Sequence, residues 1–351
     1  MREPPAPILV GLLFDFPQGD GGASFEDAVR LGLDEIAGAG RLDRPVEFVT
    51  RLSRGLPLGT AHDVITAFRE LDDAGVLLIV GPSISDNGFI AKDLADGAGL
   101  PCINYTGGEH TRSEFMFHYQ IGSLEEEPPL LARRLAERAL RSAAVIHDHS
   151  PVGRRYAECF EDARALHDLD TTGVAAISPL SEDVKEVVAR LRETRADALV
   201  YLGLGVASRA VAVALADLGW SVPVVANSSL MFGYARPDWR DGWAGWEYLD
   251  GVADDNSMRA RLREKSKRAA GGPIGCAAYD MGRLTGEAIA RAHHLTRAGL
   301  KEGLERVKHL PATSGVEGTT MGFGHYDHAA LKGRYLVLRE WRDGKTVQVV
   351  T

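Results

Sequence analysis

The feature that most constrains what this chain can fold into is an alternation: eight apolar runs of strand length, with segments of helical periodicity between them. The runs cover 8–14, 46–50, 76–80 and 101–104, then 143–147, 174–177, 198–202 and 222–226. Short runs rich in Val, Ile and Leu suit strands buried on both faces, and a helix between two such strands returns the chain to the same edge of a sheet. Parallel sheets built from crossover units follow, an α/β class. The runs form two sets of four, each spanning on the order of 100 residues, the size of one domain core. The acidic, Pro-containing SLEEEPP at 123–129 separates them and can serve as a crossover followed by a helix start. At 351 residues, two domains are expected.

The helices carry start signals. Ser24, with Asp27 three residues on, is placed to cap a helix burying Phe25, Ala28, Val29, Gly32 and Ile36. Thr60 with Asp63 opens a second over Val64, Phe68 and Leu71, and Ser181 a third over Val184, Val187, Val188 and Leu191. Beyond the second set come a Gly- and Trp-rich stretch at 232–251, a helix from about Ser257, another over 276–298, and a terminal hairpin turning at Asp343 and Gly344.

Charge and motifs narrow the function classes. The 40 Lys and Arg against 49 Asp and Glu give −9, so the basic footprint of a nucleic-acid binder is missing. The basic run at 259–268 suits the wet face of a helix. Three cysteines at 102, 159 and 276 make no disulfide framework and no zinc spacing, and Cys102 and Cys276 read as core residues. No apolar stretch reaches membrane length, and the opening MREPPAPILV lacks the pattern of a secretory signal. The expectation is a cytoplasmic protein if Met1 is the native start, and otherwise a periplasmic or cell-envelope one. GxSxG, P-loop and HExxH motifs are missing, and GLGVAS lacks the full dinucleotide fingerprint, so no cofactor is expected.

Two loops carry candidate chemistry. In Gly81-Pro82-Ser83-Ile84-Ser85, between a strand and a helix starting near Asp86, hydroxyls and free N–H groups suit an anion or a carbonyl. Ser85 there either caps the helix or contacts a ligand. In Asn104-Tyr105-Thr106-Gly107-Gly108-Glu109, two glycines let backbone approach a ligand closely, or make a plain turn. His147 and His149 alternate on a strand, but no third residue with suitable spacing joins them as metal ligands. His293, His294, His325 and His328 read as surface residues. Phe232, Tyr234, Trp239, Trp243, Trp246 and Tyr248 can wall a pocket or make a subunit interface.

In chain order VGPSISD, INYTGGE, AVIHDHSPVGRRYAECF, RADALVYLGLG, CAAYDMGRL and the closing hairpin give a specific likeness from residue 8 to about 349. The chain resembles the type I periplasmic solute-binding proteins, specifically the branched-chain amino acid (Leu/Ile/Val) binding group and its cytoplasmic amide-sensor relatives. The resemblance implies two Rossmann-like lobes with parallel sheets joined by a three-crossing hinge. Lobe 1 would hold 1–122 with 254–326 and lobe 2 123–253 with 327–351, with a ligand cleft between them. It implies ligand contacts at Ser83, Ser85, Tyr105, Thr106, Gly107 and Gly108 on the first lobe, and at His147, Val152, Leu204 and Ser228 on the second. Tyr279 matches a family Tyr near hinge and cleft, with helix packing as the other reading.

The likeness also marks departures. Ser228 stands where amino-acid binders place an acidic residue for the ligand ammonium, and a hydroxyl cannot neutralise a desolvated cation, so an α-amino acid ligand is not expected. Val152 and Leu204 replace two aromatics. The implied function is a non-enzymatic solute-binding protein that closes on a small carboxylate or amide with an apolar or aromatic body, as the substrate-binding component of an ABC-type importer. The alternative is a cytoplasmic sensor regulating a partner protein, for which a homodimer is plausible; a cleft hydrolase or lyase using His147, Asp148 or Glu109 ranks last. The partners implied are a small-molecule ligand and either a permease or a regulatory protein, with no nucleic acid and no membrane insertion.

Overall fold

A computed structural model describes residues 5–15 and 22–349; Met1, on which the localisation expectation turns, lies outside them. The chain divides into two compact units, Met1–Ile121 with Val252–Tyr335 and Gly122–Gly251 with Leu336–Thr351, so it passes between them three times.

Unit 1 begins with β1 (Ile8–Phe14), α1 (Ala23–Gly38), β2 (Val46–Leu52), α2 (Ala61–Asp73), β3 (Leu78–Val80), α3 (Ser85–Ala98), β4 (Cys102–Asn104) and β5 (Met116–His118). Its sheet runs β2-β1-β3-β4-β5 and every pair is parallel. All seven residues of β1 pair with β2 and Val10–Leu12 also pair with β3, with little exposure, which is why the strand is apolar on both faces.

Unit 2 follows with α4 (Glu127–Glu137), β6 (Ser142–Asp148), α5 (Pro151–Arg164), β7 (Asp170–Ile177), α6 (Lys185–Glu193), β8 (Ala198–Leu202), α7 (Ser208–Asp217), β9 (Val224–Ala226) and β10 (Glu247–Asp250). The chain then adds α8 (Ser257–Lys265), α9 (Pro273–Arg291), α10 (Arg297–Glu305) and short antiparallel β11 (Leu310–Pro311), β12 (Thr320–Met321) and β13 (Leu331–Lys332) to unit 1. Residues 327–335 stay in unit 1, because β13 pairs with β12 and Ala329 bridges His118. The terminal β14 (Val337–Arg342) and β15 (Lys345–Gln348) complete a seven-stranded sheet, β15-β14-β10-β9-β8-β6-β7. That sheet is parallel from β10 to β7, with β14 and β15 antiparallel. The hairpin turns where expected, with Asp343 and Gly344 both left-handed (φ 50° and 68°).

The helix starts show which local signals hold. Thr60 and Asp63 form the expected capping box. Ser24 does not cap α1: Gly22, left-handed at φ 88°, occupies the cap and Ser24 sits inside the first turn. Ser181 does not open α6 either; the helix starts at Lys185, whose N–H donates to the Asp183 carboxylate (2.9 Å). The single helix expected over 276–298 is two, since Thr296 accepts from Gly299 N–H and restarts the chain as α10. In the basic run, Arg259 turns inward and donates to the Ala270 and Ala253 carbonyls (3.2 and 3.3 Å), while Arg261, Arg263 and Lys267 stay exposed.

The aromatic stretch packs into the core of unit 2. Trp239, Trp243, Trp246 and Tyr248 are buried with Trp341 of β14 in one core layer of unit 2, and Phe232 and Tyr234 pack against it. Tyr248 stacks on Trp341 with centroids 5.9 Å apart, and Trp239 meets Trp243 edge-on at 5.8 Å.

Candidate functional site

In open parallel sheets the loops beyond the carboxyl ends of the strands are the ones free to carry a site, and the expected residues group there in each unit. In unit 1, Asp15 follows β1 and is buried. Its carboxylate accepts from the N–H groups of Ser83 (2.8 Å) and Ile84 (3.1 Å), from the Asn87 amide (2.8 Å) and from the Ser83 hydroxyl. Burial pushes this carboxyl above its usual range, against four hydrogen bonds that pull it down. The Ser83 hydroxyl therefore holds the loop. Gly81 makes the bend possible: its φ is 121°, and a Cβ there would strike the Leu13 carbonyl.

Ser85 is the first residue of α3, and the cap position belongs to Ile84, which has no side-chain capping bond. The capping alternative for Ser85 is thereby removed. Its Oγ accepts from Gly107 N–H (3.2 Å), joining the β3 and β4 loops, and its own proton has no acceptor among the described residues. Thr106 is turned inward: its hydroxyl donates to Asn104 Oδ1 (3.0 Å) and accepts from Gly108 N–H (3.3 Å). Beneath it, Arg112 donates to His118 Nδ1 (3.1 Å), which leaves Nε2–H to donate to the Thr106 carbonyl (2.7 Å). Burial and the Arg112 charge hold His118 neutral, with its pKa down to about 3. Tyr105 is buried and its ring stacks on Phe25 (4.8 Å).

Tyr279 does not join these loops. It lies on α9, and its hydroxyl donates to Glu35, about three turns along α1 from its start. His328, read as a surface residue, is buried; it stacks on Phe117 (4.0 Å) and its Nδ1 meets the Ser113 carbonyl (2.7 Å).

In unit 2 the corresponding loops follow β6, β8 and β9. Asp148 closes β6, fully buried, and accepts from Leu204 N–H (2.6 Å) and the Tyr201 hydroxyl (3.2 Å). His147 is buried, with Nδ1 at 3.0 Å from the Asp148 carbonyl, whereas His149 is exposed. Val152, in the first turn of α5, is part of the second core layer of unit 2, and Leu204 packs on the same layer half-buried.

The largest departure from expectation is at Ser228. The sequence reading leaves no acid at this position, yet Glu127, the first residue of α4, is fully buried against it. The carboxylate accepts from Ser228 N–H, from the Ser228 hydroxyl (3.1 Å), from Ser123 N–H (2.6 Å) and from the Tyr156 hydroxyl (2.8 Å). All four partners are uncharged donors. Gly122 allows the approach, since a Cβ there would run into both Ser228 Oγ and Glu127 Oε1. Burial raises the Glu127 pKa to about 7, opposed by its four hydrogen bonds. The neighbouring Ser229 hydroxyl is buried with no partner among the described residues. Glu127 was visible only as one of three acids in SLEEEPP, with two prolines after it marking a helix start.

Among the described residues, no helix is long and apolar enough to cross a membrane. A sequence profile of the periplasmic binding protein family matches residues 7–345. No curated protein matches the sequence significantly. Solved structures share the fold at low identity. A type 1 periplasmic binding protein from Bordetella pertussis Tohama I superposes with TM-score 0.84 at 16% identity, covering 98% of this chain and 100% of that one. The branched-chain amino acid transporter substrate-binding protein LivJ from Streptococcus pneumoniae, in complex with isoleucine, gives 0.83 at 16% identity with the same coverage. An ABC transporter substrate-binding protein from Desulfitobacterium hafniense in complex with Leu gives 0.79 at 18% identity, again covering 98% and 100%.

Proposed function

We propose that this chain, which belongs to the periplasmic binding protein family, is a solute-binding protein for a small molecule whose oxygen-bearing end, a carboxylate or an amide carbonyl, docks on the unit 1 loops. The observation that carries this reading is the Ser85 hydroxyl. Because it already accepts from Gly107 N–H, its proton is left to donate, and it stands at the first turn of α3, where the helix dipole favours negative charge. A ligand oxygen is the group such a hydroxyl suits. Gly107 and Gly108 spend their N–H groups on Ser85 and Thr106, and Ser83 and Thr106 hold the loops in place. The resemblance adds an apolar or aromatic ligand body, with contacts at Ser228 and the apolar Leu204 of unit 2. The likeness to transporter substrate-binding proteins supports delivery of the solute to an ATP-driven importer.

The test is a thermal-shift screen of amino acids, primary amides, and aliphatic and aromatic acids against the full chain, followed by calorimetric titration of whatever stabilises it. At least one small acid or amide is expected to bind saturably and to be recovered unchanged after long incubation. A screen in which nothing stabilises the protein defeats the reading, and conversion of a bound ligand would move the protein into the enzyme class.

A further inference from the structure

We infer that unit 1 carries a site for a divalent transition metal ion of the Zn²⁺ type, formed by His328, Glu305 and His325. It uses none of the residues of the candidate ligand site, so it stands or falls independently of the proposed function. The starting point is an imidazole whose two nitrogens are unequally used. His328 is buried, and its Nδ1 lies 2.7 Å from the Ser113 carbonyl, which can only accept, so Nδ1 carries the proton. In the neutral ring that burial favours, Nε2 is then a bare lone pair. Nε2 is itself buried without a hydrogen-bond partner among the described residues, and the atom facing it, Glu305 Oε1 at 3.6 Å, is another acceptor. Two acceptors that close call for a cation between them. Ligand atoms held at ~2.0–2.1 Å by one tetrahedral zinc lie about 3.3–3.4 Å apart, close to this spacing. On the same carboxylate, His325 Nδ1 stands 3.4 Å from each oxygen.

The fold supplies the supports such an ion needs. Glu305 ends α10, and the two histidines sit three positions apart between β12 and β13. The bond from Nδ1 to the Ser113 carbonyl and the stack on Phe117 (4.0 Å) fix the His328 ring, as the outer hydrogen bond of a metal-bound histidine does. His325 and His328 both line an open cavity of about 450 Å³, through which an ion and a coordinating water can enter. Two imidazoles and a carboxylate suit Zn²⁺ or Co²⁺, not the oxygen-seeking Mg²⁺ and Ca²⁺. Two adjustments accompany binding. The two imidazole nitrogens are farther from each other than from the carboxylate, so His325, its side chain 64% exposed, turns inward to complete the set. The Lys301 ammonium, bonded to Glu305 Oε1 at 2.8 Å, gives way. Both cost affinity, so a dissociation constant on the order of 10 µM is expected, weaker than that of a structural zinc.

The experiment titrates the full chain, free of any affinity tag and stripped of metal with a chelator, with Zn²⁺ in a calorimeter and with Co²⁺ in a spectrophotometer. One equivalent of Zn²⁺ is expected to bind, and Co²⁺ is expected to give the intense visible absorption of a four-coordinate ion. His325→Ala is expected to lower Zn²⁺ affinity roughly tenfold or more and to weaken the Co²⁺ absorption. Lys301→Met removes the competing ammonium and is expected to raise affinity about threefold or more. His328→Gln is expected to abolish binding. Because His328 is buried that variant can fail to fold, and the decision then rests on His325→Ala and Lys301→Met. The inference is overturned by a wild-type protein that takes up no saturating Zn²⁺, or by affinity and spectrum unchanged in His325→Ala, which would place the ion at other histidines. Affinity that stays the same or falls in Lys301→Met overturns it as well, since an ion on Glu305 has to compete with that ammonium.

Discussion

Two serine hydroxyls at the carboxyl ends of two parallel sheets are held in opposite senses. In unit 1 a buried acid, Asp15, takes the backbone of Ser83 and Ile84, and the nearby Ser85 is left out of its reach, accepting from Gly107 and keeping its proton. In unit 2 a buried acid, Glu127, takes Ser228 itself, backbone and hydroxyl together. Each unit thus anchors a site loop on a buried carboxylate. What differs is whether the anchor consumes the serine's proton. A hydroxyl is chemically two-sided, and the group behind it decides which side a ligand meets.

The sharpest way to break this comparison is to remove the unit 2 anchor. Glu127→Ala leaves Ser123 N–H, Ser228 N–H and two hydroxyls without their acceptor in a buried space, and a loss of about 3–5 kcal/mol in urea unfolding is expected. A loss below about 1 kcal/mol would mean that water or rearrangement satisfies those donors, and that the anchor is dispensable.

The same acid gives the second prediction. Its folded pKa, about 7, lies above its ordinary 4.5, so the folded state holds the proton more tightly. The stability linked to that proton is fully present below pH 4.5 and is lost as pH rises through 7, a change of about 3 kcal/mol that Glu127→Gln should erase. Unfolding curves of both proteins at intervals from pH 4.5 to 8 measure it; parallel profiles would show that Glu127 titrates at its ordinary value.

How much of this contrast the sequence exposes depends on how local its causes are. The strands of both sheets are legible because residues such as those of β1 and β8 are buried on both faces and must be apolar throughout. β10 is not legible: EYLD carries two acids, and it sits inside the sheet because Glu247 pairs with Arg134 (2.7 Å) and Arg138 (3.3 Å), more than 100 positions away. The loops of the candidate site are found from their position after strands, and the resemblance adds the residue numbers. The direction of each hydroxyl is out of reach, because Ser85 takes its sense from Gly107 and Ser228 from Glu127, across separations of 22 and 101 positions. Local propensity also misplaces two helix starts, at Ser24 and Ser181, where backbone geometry at Gly22 and the carboxylate of Asp183 take over.

On the unit 1 side the comparison is sharpened by separating binding from stability. Ser85→Ala removes a proton that no described residue accepts, so ligand affinity is expected to fall by about 1–3 kcal/mol. Because Ile84 holds the cap position, stability should fall by no more than about 1 kcal/mol, for the lost acceptor of Gly107 N–H. Calorimetric titration and urea unfolding of the same preparation separate the two. An unchanged affinity with reduced stability would return Ser85 to a purely structural part.

The smallest effect is expected beside Ser228, at a hydroxyl that has no anchor at all. Ser229 Oγ is buried and without a partner among the described residues, so burying it costs desolvation with nothing in return. Ser229→Ala is therefore expected to leave stability unchanged or to raise it by up to about 1 kcal/mol, with ligand affinity unaffected. That outcome would set two adjacent serines apart by one property, the presence of Glu127 behind the first and of no acceptor behind the second. A clear loss of affinity in Ser229→Ala would instead mark its hydroxyl as a ligand contact.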